Sequence, residues 1–305
     1  MSLALPPRST QIAVLLPFAI VTLIWGSTWI VIRDQLAAMP PSWSVSYRFV
    51  IAGVVMLGVA AFNRDSLRLD VRGLGFAALL GLLQFSLNFN FVYHAEQHVT
   101  SGLVAVVFAL LLVPNALLAR IFLGQRAGRQ LVTGSAIAIL GVALLFVHEA
   151  RAAASGTREV MTGIGITLAG VLCASTANVM QASATARAYP LTTVLGYAML
   201  IGAAFDAGFA WTVAGPPVFD ARPAYLAGLL YLSLVGTALA FTLYFALIRT
   251  IGPAKAAYTS VLIPVIAMAI STVVEGYRWS WLAAAGAALV LAGLVMALKA
   301  RRPNR

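Results

Sequence analysis

The sequence predicts an all-α membrane protein of ten transmembrane helices, arranged as two inverted five-helix repeats with both termini cytoplasmic. Three observations predict it. Hydrophobic residues make up 61% of the 305 and charged residues 10%, against roughly 45–50% and 25% in soluble domains, and the mean hydropathy is +0.94. Apolar windows of about 20 residues, the length that crosses ~30 Å of hydrocarbon as a helix, recur from one end to the other. Landmarks of the first half return in the second at an offset near 150 residues.

Each helix follows from an apolar window bounded by Pro, Gly or charge. The first, 12–32, follows Arg8; it is too long for a signal-peptide core and lacks a small-residue cleavage site, so it is read as a span. The others fall near 42–62, 72–94, 99–119, 130–148, 161–184, 191–212, 223–248, 255–275 and 279–298. Residues 12–148 form the first five-helix repeat and 161–299 the second, with cytoplasmic tails at 1–11 and 300–305.

Orientation follows from Lys and Arg, which cytoplasmic loops retain. With the N-terminus inside, fourteen fall on the inner side, among them Arg64, Arg68, Arg72, Arg187, Arg249 and Lys255. Five fall outside: Arg33, Arg151, Arg158, Arg222 and Arg278. The repeat rests on LLVPNALLARIFLGQ (Leu111 to Gln125), which aligns with VLIPVIAMAISTVVE (Val261 to Glu275) so that Pro114 falls on Pro264. Gly26-Ser27-Thr28 matches Ala174-Ser175-Thr176, Pro41 matches Pro190, and Gly134 and Gly141 match Gly286 and Gly293. An odd number of helices per half obliges the second copy to enter from the opposite side, the plan of many secondary transporters, which bind substrate near the midplane.

The WGSTW of the first helix (Trp25 to Trp29), Arg48 within SYRFVIAG (Ser46 to Gly53), Pro114 followed by Phe122-Leu123-Gly124, and Pro264 with Glu275-Gly276 resemble the EamA-type carriers of the drug/metabolite transporter superfamily. The resemblance covers about residues 12–298. It departs where the family's Leu-Gly-Glu reads Leu123-Gly124-Gln125 here. It implies an inner-membrane carrier with a central cavity among helices 1, 3, 4, 6, 8 and 9, opening alternately to each side. Within the superfamily the chain looks like bacterial exporters of aromatic amino acids.

Ionisable groups deep in a bilayer invite a functional or pairing explanation. Arg48 and Asp206 lie at matching predicted depths in the second and seventh helices, so they are expected to pair as a clamp or a gate. On the third helix Gln84, Asn88 and Phe91 follow at i, i+4, i+7, a stripe of amides and aromatics suited to a ligand with a ring and polar ends. An amide facing lipid without a partner costs several kcal/mol, so Gln84, Asn88, Asn178 and Gln181 are expected to point inward. The expected site takes a ring among Trp25, Phe91 and Tyr244, with Thr28 and Tyr258 on the cavity wall. Asn88 and Asn178 are expected to bond the amino and carboxylate ends. Pro114 and Pro264, in mid-span at equivalent positions, are candidate gating kinks. His94, Glu96 and His98 are read as an outer loop.

Several function classes are excluded. The charge of +11 is scattered singly between apolar spans, with no basic face for nucleic acid. No H-E-x-x-H, G-x-G-x-x-G or nucleophile arrangement is present, and Cys173, alone in the sequence, lacks a neighbouring His. No catalytic residue, metal or cofactor is expected. A channel would show a ring of charges or a filter. The sequence therefore reads as a monomeric carrier in the lipid bilayer that exports small metabolites, most of all amino acids with aromatic or apolar side chains.

Overall fold

The computed structural model describes residues 8–36, 39–99, 101–125, 128–152, 157–274 and 279–298, and the described residues fold entirely as helices and the turns between them. The tails 1–7 and 299–305, and Glu275-Gly276 of the second-half motif, lie outside the described residues. In order, the long helices are α1 (Arg8–Leu36), α2 (Pro41–Phe62), α3 (Val71–Ala95), α4 (Val104–Leu123) and α5 (Arg129–Ala152). There follow α6 (Thr157–Gln181), α7 (Leu191–Ala214), α8 (Pro223–Ile251), α9 (Tyr258–Val274) and α10 (Trp281–Leu298). Eight helical runs are long and apolar enough to cross a membrane; α5 and α10 contribute the shorter apolar stretches Val132–Leu145 and Trp281–Met296 among the described residues.

Local chemistry sets the helix ends. Pro41 and Pro223 occupy first turns, where a missing N–H costs nothing. Asp70 caps α3, its carboxylate accepting from the Gly73 N–H at 2.7 Å and from the Tyr189 hydroxyl at 2.5 Å. These bonds hold its pKa below the ordinary aspartate value, the Tyr189 bond contributing most. Gly124 ends α4 at φ 64, a left-handed turn that favours glycine.

Two helices change pitch partway. Gly81–Leu87 in α3 and Tyr231–Leu239 in α8 are π-helical, and their first residues are 150 positions apart. A π-turn carries an additional residue and swings everything after it around the helix axis.

Packing depends on backbones approaching where side chains vanish. A Cβ placed on Gly141 would stand 2.6 Å from the Gly286 carbonyl oxygen, one on Gly286 2.8 Å from that of Gly141, and one on Gly293 2.5 Å from that of Gly134. The α5–α10 crossing is thus antiparallel and reciprocal about its centre. The α2–α7 crossing is similar: the Ser46 hydroxyl donates to the Ala203 carbonyl at 3.0 Å, and Gly53 lies against Gly196. Contacts of α1 with α8 and α9 are matched by contacts of α6 with α3 and α4.

Gly141→Ala and Gly286→Ala each force a methyl group into a facing carbonyl. Each is expected to lower stability by roughly 1–3 kcal/mol, the cost of overpacking, in thermal melts of the detergent-solubilised protein. Gly165→Ala, with nothing within 4 Å of the added carbon, is expected to melt with the native protein; equal losses at all three positions would remove the close-approach explanation.

Candidate functional site

A cavity of about 80 Å³ lies where α1, α3, α4, α6, α8 and α9 converge, and α2 reaches it through Arg48. One wall is aromatic: Trp25 packs on Phe241 (centroids 5.1 Å apart) and edge-on against Tyr244 (4.8 Å), and Phe89 meets Phe241 at 6.1 Å. The polar lining is Thr28, Arg48, Gln84, Asn88, Asn178 and Ser260.

Small residues at Gly26, Ser27 and Thr28 let α1 pass through this crowd. A Cβ on Gly26 would collide with Ile266 of α9 at 2.5 Å. Thr28 turns its hydroxyl back to the Trp25 carbonyl (2.8 Å), and Ser27 bonds the Tyr231 hydroxyl of α8 (2.6 Å). Within the π-turn of α8, the Gly236 carbonyl accepts from the Trp25 indole N–H at 3.1 Å and from Arg48 Nη2 at 3.4 Å. Widening a helical turn frees a carbonyl from its own ladder, and here two cavity residues take it up.

Arg48 does not pair with Asp206 as expected from their depths. Its Nε donates to Thr237 Oγ1 at 2.7 Å and Nη1 to the Tyr93 hydroxyl at 3.4 Å, and the guanidinium lies 4.7 Å from the Phe89 ring centroid. Asp206 accepts instead from Asn90 Nδ2 at 2.6 Å, and Ser42 donates to Asn90 Oδ1 at 2.7 Å. The reason is the register of the crossing. Because Ser46 faces Ala203, Arg48 sits about five residues, ~7 Å, deeper than Asp206, and the two side chains leave toward α8 and α3 respectively.

Of the residues named from sequence, Trp25, Thr28, Gln84, Asn88, Asn178 and Tyr244 line the cavity. Phe91 does not: its Cβ lies against Gly170 of α6, and Phe89 and Val92 take the lining positions. Gln84 and Asn88, which straddle the end of the π-turn, both face the cavity; Phe91 lies past it in regular α-helix, and Val92, one turn on from Asn88 at i+4, faces the cavity in its place. Tyr258 is also elsewhere, fully buried with its hydroxyl 2.9 Å from Ser135 Oγ, joining α9 to α5. Pro264 lies inside α9, whereas Pro114 follows a 3₁₀ turn at Ala109–Leu111 that already bends α4. Arg48, Phe89 and Phe241 belong to the cavity without having been placed there from sequence; a buried cation was the signal for the first, and the aromatics carried none.

Below the cavity, toward the loops 62–71 and 181–191, polar bonds tie the bundle shut. Asn178 Nδ2 donates to Tyr244 Oη (3.3 Å) and Asn115 Oδ1 (3.4 Å), and Asn115 Nδ2 donates to the Pro253 carbonyl (3.1 Å). Arg249 Nη2 donates to Gln181 Oε1 (3.2 Å) and to the Ala186 carbonyl (2.8 Å). At the opposite end Glu96, read from sequence as part of an outer loop, is largely buried. Burial pushes its carboxyl up to about 8, with the Arg33 charge pulling the other way.

A model of the EamA-like transporter family matches residues 12–147 and 161–299. An Escherichia coli protein named "Uncharacterized inner membrane transporter YedA" is 31% identical over 268 residues, 86% of this chain and 83% of its own. A Salmonella typhimurium "Probable amino-acid metabolite efflux pump" is 25% identical over 298 residues, 94% and 96% of the two chains. One solved crystal structure superposes with a TM-score of 0.76 at 21% identity over 97% of this chain and 100% of that one, a likeness of fold.

The Glu96 carboxyl keeps its proton in the folded protein up to about pH 8, but loses it near 4.5 when unfolded. The folded state therefore binds more protons across that window, and stability falls as pH rises through it. Glu96→Gln is expected to flatten the fall in melting temperature between pH 5 and 8; an unchanged slope would place the titration in another group.

Proposed function

The chain belongs to the EamA-like transporter family, is a multi-pass transporter of the inner membrane and no enzyme, and on that premise we propose that it exports small metabolites, foremost amino acids with aromatic or apolar side chains, by alternating access. The observation that carries the proposal is the cavity itself. Trp25, Phe241 and Tyr244 give a ring a surface to stack on, and Gln84, Asn88 and Asn178 line the same cavity as hydrogen-bonding groups. Sites of this makeup, mostly apolar with a few placed polar groups, hold small polar ligands in one orientation. Two relatives fit the class, the amino-acid metabolite efflux pump above and a "Probable terminal-alkyne amino-acid exporter" of Streptantibioticus cattleyicolor, 28% identical over 280 residues.

In this reading all ten helices span, in two five-helix repeats of opposite orientation, with both termini in the cytoplasm. The pitch change shared by α3 and α8 and the reciprocal glycine crossing of α5 and α10 support the repeat. The excess of Lys and Arg at the 62–71 end supports the orientation. The bonds from Asn115 to Pro253 and from Arg249 to Gln181 then close the cytoplasmic side. The cavity volume is below the ~300 Å³ at which ligand pockets begin, so the walls part to admit substrate. The carrier works as a monomer in the bilayer, without cofactor or nucleic acid.

Reconstitution into liposomes preloaded with unlabelled amino acid tests this. Saturable counterflow of labelled phenylalanine or tryptophan, and little of threonine, is expected. Asn88→Ala and Tyr244→Ala are expected to weaken apparent affinity about tenfold each, ~1.4 kcal/mol. Unaltered affinity in both would move the site, and absent counterflow with every amino acid would move the substrate to another class of metabolite.

A further inference from the structure

The cavity wall holds a permanent positive charge that no carboxylate among the described residues balances. Arg48 is 1% exposed, and a guanidinium stays ionised whatever its surroundings. Its partners are all neutral: the Thr237 hydroxyl, the Tyr93 hydroxyl, the Gly236 carbonyl and the Phe89 ring. The two bonds from its terminal nitrogens are long, 3.4 Å each. Of five N–H donors, those bonds and the one from Nε use three, leaving one N–H on Nη1 and one on Nη2. A carboxylate can accept from one N–H on each of these nitrogens. A buried charge without a counter-charge is costly; a ligand that supplies one would recover part of that cost on binding.

Groups of the opposite character line the same space. Gln84 Oε1, Asn88 Oδ1 and Asn178 Oδ1 are buried acceptors with no donor among the described residues. For two of these the assignment of oxygen and nitrogen follows from the network. Asn88 must turn its NH₂ to the Gln84 carbonyl, which can only accept. The Pro253 carbonyl, also an acceptor only, fixes the NH₂ of Asn115; Asn115 then offers its oxygen to Asn178, which must answer with its NH₂. Both side-chain oxygens are thereby left for a donor.

We propose that the cavity is built for a zwitterion: Arg48 is the receptor for the substrate's carboxylate, and the unpartnered amide oxygens of Gln84, Asn88 and Asn178 take its ammonium group. This rests on the amino-acid reading and sharpens it. Substrates are defined by a free carboxylate beside a cationic nitrogen, with the side chain on the aromatic wall. The bonds from the Arg48 terminal nitrogens to Tyr93 and Gly236 are weak enough to be given up when the carboxylate arrives.

The test is competition against counterflow of labelled phenylalanine into liposomes holding the full chain. Phenylalaninamide and phenethylamine lack the carboxylate, and 3-phenylpropionate lacks the ammonium. Each is expected to compete about 10- to 100-fold less well than phenylalanine, the worth of one hydrogen bond to a charged group. In Arg48→Gln the gap between phenylalanine and its amide is expected to close to within about twofold, while Arg48→Lys keeps part of it. Equal competition by acid and amide in the native protein, or a gap that survives Arg48→Gln, overturns the proposal. If Arg48→Gln does not fold, the native series and Arg48→Lys decide. If no amino acid gives counterflow, melting temperatures in detergent are compared for phenylalanine, benzoate and acetate against their amides. Stabilisation by the acids alone keeps the carboxylate receptor and discards amino-acid export; no preference for the acids overturns the receptor.

Discussion

Hydrocarbon offers no hydrogen bonds, so each polar group carried into the bundle must find its partner inside it or remain at a cost of several kcal/mol. Most hydroxyls here meet that demand locally. Thr22, Thr167, Thr176, Ser233 and Thr242 each donate to the carbonyl four residues earlier on their own helix, which satisfies the group without involving a neighbour. Asn88 and Asn90 likewise donate to the carbonyl four residues earlier, while Asn90, Asn115, Asn178 and Arg48 also bond between helices. Unpartnered side-chain atoms of Gln84, Asn88 and Asn178 belong to residues around the central cavity. The bilayer's demand is thus met for most hydroxyls and left partly open around the cavity, as it is at Gln35, Ser175 and Asp206.

The same demand explains the altered pitch of α3 and α8. An unbroken α-helix spends every interior carbonyl on its own ladder. A π-turn releases one, and in α8 the Gly236 carbonyl holds both the Trp25 indole and Arg48. Without a side chain at Gly236, where a Cβ would stand 3.1 Å from the Thr28 methyl, α1 can come close enough for the indole to reach. One glycine in one widened turn therefore fixes the aromatic wall and the cation relative to each other.

Much of this was legible in the sequence, and the misses share a cause. Apolar windows marked the helices to within a few residues, because hydrophobic length is set by bilayer thickness. Gln84, Asn88 and Asn178 were legible as inward-facing because polar groups have nowhere else to go. Phe91 was placed on the wall at the i+7 position of a stripe whose i and i+4 members, Gln84 and Asn88, do face the cavity, but in the packed helix Phe89 and Val92 face it and Phe91 lies against α6. Arg48 was matched to Asp206 by counting depth from helix ends, whereas the register of α2 on α7 is set by Ser46, Gly53 and Gly196. Periodicity and depth are properties of isolated helices; the site depends on how helices distort and slide when packed.

The pitch changes recur between the two halves of the chain, but the chemistry of the lining does not. At the offset of 150, Gln84 corresponds to Leu234 and Asn88 to Ala238; Arg48 falls on Tyr197 through the Pro41 and Pro190 match, and Trp25 on Cys173 through the match of Gly26 with Ala174. The π-turns and the α5–α10 crossing recur, while the polar lining comes mainly from the first half, joined by Asn178, Tyr244 and Ser260 of the second. These two properties serve different ends. In the alternating-access reading proposed above, reciprocal packing gives the bundle two related arrangements, since a contact broken on one side has its counterpart on the other. A symmetric lining would let an asymmetric ligand bind in two opposed poses, each satisfying half of its groups. With the cation and two of the three amides drawn from the first half and the aromatics from both, the lining is not symmetric, and in the same alternating-access reading a ligand with a charged end and a ring keeps one pose while the scaffold rearranges around it.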